Sequence, residues 1–121
     1  MNEVKYFTPE EANQTLPLVK KIVDDILRVG KEIRGLTVET ENPEIEARLG
    51  DLMDELDGLF EEIEALGCSY KDWNFTMGLV DFPSVIAGRE VFLCWRSDEE
   101  TVEFYHEAEA GYAGRKSISK A

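Results

Sequence analysis

Apolar residues recur at helical spacing from residue 8 to residue 67. In the first segment they follow at alternating steps of three and four: Val19, Ile22, Ile26, Val29, Ile33 and Leu36. The second segment repeats these steps: Ile45, Leu49, Leu52, Leu56, Leu59, Ile63 and Leu66. Two heptad seams of matching length, separated by a short polar connection at 36–41, predict a long antiparallel helical hairpin of the coiled-coil type.

Start and stop signals bracket both predicted helices. Residues 8–11 (Thr-Pro-Glu-Glu) form a capping box, the pair 42–43 (Asn-Pro) is a second start signal, and Gly67 is a stop signal. Pro17 lacks the N–H that a helix interior needs. We therefore expect a kink there, or a short helix followed by a long one.

A second, weaker apolar stripe follows the same helices. It consists of Val23, Leu27, Gly30, Met53 and Phe60. Such a stripe has to pack against something. The C-terminal half of the chain and a second copy of the hairpin both fit.

The C-terminal half alternates between apolar and polar residues, which is typical of β-strands. Residues 79–86 and 90–96 predict two strands joined by a turn at 87–88, and this turn places Asp81 opposite Cys94. The predicted core face carries Val80, Phe82, Val91, Leu93 and Trp95.

Residues 98–110 fit either a helix or a third strand. A capping box at 97–100 and Gly111 favour a helix, whereas the alternation and the aromatic residues after a tight turn favour a strand over 101–107. We predict the strand, although the helix stays open.

The predicted third strand places Phe104 beside Leu93 and the only histidine, His106, near Val91 at the edge of the buried face. The opposite face then carries Asp81, Cys94 and Glu103, with Arg96 one step along. Cys94 and His106 are thus expected to point to opposite faces.

The elements predict a single α+β domain over residues 1–121. It consists of the helical hairpin (8–67), a small antiparallel sheet of two or three strands (77–107), and a closing loop and tail (108–121). The length and a hydrophobic content of 43% suit one packed core.

The net charge of the chain limits the classes of partner that it can bind. With 26 acidic and 13 basic residues the net charge is −13, which repels nucleic acid and anionic membranes. The imbalance is uneven: 17 acidic and 7 basic residues precede Gly67, and 9 acidic and 6 basic residues follow from there. An anionic ligand would therefore favour the C-terminal half.

The start of the sequence lacks the pattern of a signal peptide, so we expect a cytoplasmic protein. Cys68 and Cys94 should then be reduced thiols rather than a disulfide. No C-x-x-C pair occurs, which excludes a zinc ribbon.

Several residues of the C-terminal half could form a site. A Cys94–His106 nucleophilic pair is not expected on the predicted register, since it needs hydrogen-bond reach. No cofactor is predicted, although a divalent metal could bind Asp81, Cys94 and Glu103, or His106 and Glu107. Alternatively, all of these residues belong to an ordinary sheet.

The segment 111–115 (Gly-Tyr-Ala-Gly-Arg) is a glycine-bracketed loop that ends in a cation. Arg115 could hold a carboxylate or a phosphate. We favour instead a tail that tucks under the sheet, with Tyr112 as its anchor.

Several motifs in the same order resemble a known family. These are the segments 7–13 (FTPEEAN) with Leu16-Pro17, 78–83 (GLVDFP), 88–91 (GREV) with 93–95 (LCW), 105–106 (YH) and 111–115 (GYAGR). They resemble the domain of unknown function family 2203, small proteins of bacteria and archaea, over nearly the whole chain. Tyr105 stands where many relatives have tryptophan.

The resemblance implies no activity, substrate or catalytic residue. It does indicate which residues to test first: Asp81, Cys94, Trp95, His106, Gly111 and Arg115. Arg96, beside Trp95, completes the candidate binding residues.

Two functions remain open. The first is an interaction or regulatory protein without catalytic activity, which forms a homo-oligomer, foremost a dimer, through its helices. A further protein partner is compatible with it. The second is a metal-binding or small-molecule-binding domain, or a small enzyme, with its site on the sheet and closing loop.

Overall fold

The computed structural model describes residues 4–36 and 42–120. Two helices, α1 (Pro9–Leu36) and α2 (Pro43–Ala65), precede a five-stranded antiparallel sheet. The strands lie in chain order: β1 (Ser69–Tyr70), β2 (Leu79–Ile86), β3 (Arg89–Arg96), β4 (Phe104–Glu107) and β5 (Lys116–Ser117). Short 3₁₀ turns occupy Tyr112–Gly114 and Ile118–Lys120. Neither helix has a stretch long and apolar enough to cross a bilayer within the described residues.

The α+β class is confirmed, but the predicted number of strands is wrong. The outer strands β1 and β5 contain two residues each. A segment this short cannot show an alternation of apolar and polar residues, so the pattern missed both strands.

The predicted helix starts are confirmed. The Thr8 and Glu11 backbone N–H groups each donate to the other residue's side chain, at 3.0 and 3.1 Å, and the Asn42 side chain accepts from the Glu44 N–H at 2.9 Å. Around Pro17, α1 runs on as one element, so no separate short helix forms. The predicted connection of the hairpin lies mostly at 37–41, outside the described residues.

Both apolar seams face the core. The seam residues that are buried in it are Val19, Ile22, Ile26, Val29, Leu52, Leu56, Leu59 and Ile63. On the sheet, the predicted face of β2 and β3 completes the same core: Val80, Phe82, Leu93 and Trp95. The sheet therefore has one face on the helices and one face turned away from them.

The second stripe packs largely on the chain's own C-terminal half. A Cβ at Gly30 would lie 2.3 Å from the Phe75 ring, and a Cβ at Gly78 would lie 2.3 Å from Val23. The Phe60 ring packs against Tyr70 in a tilted arrangement, with ring centroids 5.6 Å apart. Met53 is a residue of the stripe that stays exposed, with 57% of its surface accessible to solvent.

The predicted pairing of β2 with β3 is confirmed, with Asp81 opposite Cys94 and Val80 opposite Trp95. Strand rather than helix is also confirmed for 104–107. The predicted register of that strand is wrong by one residue, because Tyr105 pairs with Leu93.

The loop between β3 and β4 causes this shift. It spans residues 97–103 and is not a tight turn: the Asn13 side chain accepts from the Val102 N–H at 2.7 Å and donates to the Val102 carbonyl at 3.3 Å. A slip of one residue moves every side chain of a strand to the other face. His106 therefore lies on the face of Cys94, and Glu103 is exposed and does not share that face.

Candidate metal site on the sheet

Three neighbouring strands each supply one ligand-type side chain on the sheet face turned away from the helices. They are Asp81 of β2, Cys94 of β3 and His106 of β4. All three are buried, and their donor atoms lie within 4.8 Å of one another. The cross-strand register creates this cluster. Asp81 lies opposite Cys94, and His106 lies opposite Phe92, which is two residues before Cys94 and therefore on the same face.

Both ring nitrogens of His106 have partners. Nδ1 lies 2.9 Å from the Glu107 carbonyl oxygen, and Nε2 lies 3.1 Å from each carboxylate oxygen of Asp81. A carbonyl oxygen only accepts, so Nδ1 carries a proton. A neutral ring would then point the Nε2 lone pair at the carboxylate. A positive species, either a second proton or a metal ion, is needed between Nε2 and Asp81.

The Cys94 thiol is not an activated nucleophile. Burial, helped by the nearby Asp81 carboxylate and opposed by Arg115, raises its pKa from 9.0 to about 12. A thiol with this pKa stays protonated at neutral pH and is inert by itself. A bound metal ion would displace the proton, because metals bind the thiolate.

A pocket of about 310 Å³ opens onto the cluster. Its floor consists of Asp81, Cys94 and His106. The other lining residues come from the β1–β2 segment, β2, β3 and the closing loop: Lys71, Leu79, Phe92, Ala108, Gly111 and Tyr112. The cluster is buried within the fold and yet borders a space that a small molecule could enter.

Arg115 supports the cluster from one side. Its Nη2 donates to the Cys94 carbonyl at 3.0 Å and to the Glu99 carboxylate at 2.6 Å, and its guanidinium lies 4.3 Å from the centre of the Phe104 ring. Because Glu99 and Cys94 already use this guanidinium, an anion-binding role for Arg115 loses support. The Arg115 side chain is 12% exposed and Tyr112 is 42% exposed, so Arg115 is the more deeply buried anchor of the closing loop.

The structure separates the other predicted site residues from the cluster. Trp95 lies on the core face, where its Nε1 donates to the Glu99 carbonyl. Arg96 bonds to Asp98 and to the hydroxyl of Tyr112, and of these three residues Tyr112 lines the pocket.

Two predicted metal sets need correction. The first predicted set is Asp81, Cys94 and Glu103. Because of the shifted register, His106 lies beside Asp81 and Cys94 in the place predicted for Glu103. In the pair of His106 and Glu107, the Glu107 carboxylate instead binds Arg89 at 2.6 Å. Adjacent residues of a strand point to opposite faces, so these two side chains cannot share one ion.

The expected separation of Cys94 and His106 is also wrong, because both residues line the same pocket. Sequence reasoning missed Lys71 and Glu99 entirely. Lys71 follows a two-residue strand, and Glu99 lies in a loop whose course depends on Asn13. No local pattern marks either residue as part of a site.

The sequence model of one family, described as uncharacterized conserved protein (DUF2203), matches residues 5–118, nearly the whole chain. No curated protein and no solved structure matches this chain. The chain belongs to this family.

Proposed function

We propose that this member of the DUF2203 family binds a divalent metal ion, best suited to zinc, through Asp81, Cys94 and His106. The observation that carries the proposal is the convergence of three buried ligand-type side chains from three strands, with donor atoms within 4.8 Å, at the floor of a pocket. The ion would supply the positive charge that the geometry of His106 and Asp81 calls for.

The donor set suits zinc. Zinc accepts imidazole nitrogen, thiolate and carboxylate oxygen, with tetrahedral ligand-to-ligand distances of about 3.3–3.8 Å. The 3.1 Å separation of His106 Nε2 from the Asp81 oxygens is already close to this. Side-chain shifts of about 1 Å would bring all three donors into range. The proton on His106 Nδ1, donated to a backbone carbonyl, is the usual outer contact of a metal-bound histidine.

Charge balance supports a divalent ion. The carboxylate of Asp81 and the thiolate of Cys94 together carry two negative charges, which compensate a 2+ ion. A buried charge without such compensation is costly. Three protein ligands and a fourth position that faces a pocket are typical of an exchangeable or catalytic zinc, whereas structural zinc takes four protein ligands.

The test is the metal content of untagged protein purified without chelator, followed by reloading with zinc. We expect close to one equivalent of zinc in the wild type and a large loss in Cys94→Ser and His106→Ala. Cys68→Ser is the matched control, because Cys68 is equally buried and has the same raised pKa of about 12 but lies outside the cluster. A wild type that holds no zinc after reloading would leave a proton between His106 and Asp81, and the proposal would be wrong.

A second candidate function is self-association of the coiled-coil-like hairpin, as an interaction or regulatory protein. A groove of about 380 Å³ between the helices, lined by Leu18, Ile22 and Leu66 among others, favours it. The second apolar stripe no longer favours it, since most of that stripe packs on the same chain. Light scattering at tens of micromolar should give a dimer, and a mass of 13.8 kDa would contradict this function.

A further inference from the structure

We infer that the open position of the metal takes the carboxylate of a small organic anion, with Lys71 as its counter-charge. This inference rests on the proposed metal site and adds the class of ligand. It comes from the charge, the size and the lining of the pocket.

The charge of the pocket favours an anion. The ion and its two anionic ligands would sum to zero, and Lys71 is the remaining charged residue of the pocket lining, so the loaded pocket would carry one positive charge. Among the described residues, Lys71 makes no side-chain hydrogen bond or ion pair. Its ammonium group is therefore available to an anion that enters the pocket.

The pocket suits a small ligand with an apolar body. At about 310 Å³ it lies at the small end of ligand pockets. Leu79, Phe92 and the ring of Tyr112 line it, and these side chains offer apolar surface. A carboxylate has the hard oxygen donor that fills a vacant zinc position. A phosphate of comparable size would leave this apolar lining without a partner.

The experiment uses the full chain loaded with Co²⁺ in place of zinc. A thiolate-to-metal absorption band reports Cys94 ligation, and the weaker metal-centred bands report the ligands in the open position. Benzoate and acetate are titrated as carboxylate probes, and inorganic phosphate is titrated as the competing anion. The same titrations are made on Lys71→Met and on the matched control Lys21→Met, an exposed lysine of α1 in the helical groove.

We expect benzoate to change the metal-centred bands at a lower concentration than acetate or phosphate. Lys71→Met should weaken the affinity for benzoate by about fivefold, which is the upper end of the contribution of an exposed charge pair. Lys21→Met should have no effect, and the thiolate band should stay the same in both variants.

Two failures are distinguishable. If Co²⁺ gives the thiolate band but benzoate leaves the metal-centred bands unchanged, or phosphate binds more tightly, the ligand class is wrong and the metal site stands. Equal benzoate affinity in wild type and Lys71→Met would also overturn the role of Lys71. If Co²⁺ gives no thiolate band, the metal site and the ligand inference both fail.

Discussion

Both ring nitrogens of His106 have a hydrogen-bonding partner, and this fixes how the residue faces the candidate site. Nδ1 donates to a backbone carbonyl, so the ring has one fixed orientation and only Nε2 faces the cluster. The neighbouring Cys94 thiol is neutral in the absence of metal, since burial raises its pKa to about 12. At this scale the site brings an imidazole nitrogen, a carboxylate and a thiol within 4.8 Å of one another.

The raised thiol pKa values predict how stability depends on pH in the metal-free protein. Burial raises the pKa of Cys68 and of Cys94 from 9.0 to about 12, and it raises the pKa of Tyr70 in the same sense. Above pH 9 the unfolded chain releases protons that the folded chain retains. The free energy of unfolding should therefore fall as pH rises from 9 to 12, by up to about 1.4 kcal/mol per pH unit for each thiol.

Urea unfolding in EDTA, at pH 8, 9.5 and 10.5, measures this dependence. The Cys68→Ser, Cys94→Ser double variant should show a flatter fall between pH 8 and 10.5 than the wild type. An identical fall in both proteins would mean that the thiols titrate normally in the folded state.

At the scale of elements, close contacts join α1 to the C-terminal half. The Phe75 ring lies directly over Gly30, where the helix has no side chain. This contact covers the second apolar stripe and fixes the β1–β2 segment that carries Lys71. The helix thus positions the segment from which Lys71 reaches the pocket, although none of the described helix residues lines the pocket itself.

Gly30→Ala tests this contact. A Cβ there would lie 2.3 Å from Phe75, so the ring has to move, and we expect a loss of about 1–3 kcal/mol in the free energy of unfolding. Gly58→Ala on α2 is the matched control, because its added Cβ would meet nothing within 4 Å and alanine favours the helix by about 0.5–1 kcal/mol. Stabilisation of both variants in urea unfolding would show that Phe75 does not pack on the helix.

The two hydrogen bonds between Asn13 and Val102 should affect metal binding as well as stability. Asn13→Ala removes both hydrogen bonds that hold the 97–103 loop, one of them to a buried backbone N–H, at a cost of about 1–3 kcal/mol. Because this loop sets the register of β4, and with it the position of His106, zinc affinity should fall too.

Gln14→Ala, at the exposed neighbouring position of α1, is the control. Calorimetric titration with zinc, beside urea unfolding, measures both effects. A normal zinc affinity in folded Asn13→Ala would show that the register does not depend on Asn13.

The same contact explains how far the sequence could predict the fold and the site. Heptad seams and the β2–β3 pairing follow from local periodicity and a short turn, so both were predictable. The β4 register depends on a hydrogen bond between residues 89 positions apart. A pattern along the chain contains no such information, and the resulting error of one residue put His106 on the wrong face. Asp81 and Cys94 were grouped correctly because only the β2–β3 turn decides their pairing.

At the scale of the whole molecule, the two halves have different roles. The helices and one sheet face form the core, while the other sheet face carries the candidate site. The family match covers both halves, from residue 5 to residue 118. The site also lies in the less acidic half of a chain with a net charge of −13, where an anionic ligand meets less repulsion.

Zinc should stabilise the whole fold, because the ligands come together from three strands only when the chain is folded. At a free zinc concentration of about a hundred times the dissociation constant, the gain is about 2.7 kcal/mol. Thermal unfolding should show a higher Tm with zinc and a lower Tm with EDTA for the wild type and for Cys68→Ser. An equal zinc-induced rise in Cys94→Ser would place the ion elsewhere.

X-ray absorption at the zinc edge of the loaded protein tests the central claim most directly, because it reports the donor atoms themselves. We predict one sulfur at about 2.3 Å and two or three nitrogen or oxygen donors at about 2.0–2.2 Å. The sulfur contribution should vanish in Cys94→Ser and persist in Cys68→Ser. A spectrum with only nitrogen and oxygen donors, or one that Cys94→Ser leaves unchanged, would contradict the metal site of Asp81, Cys94 and His106.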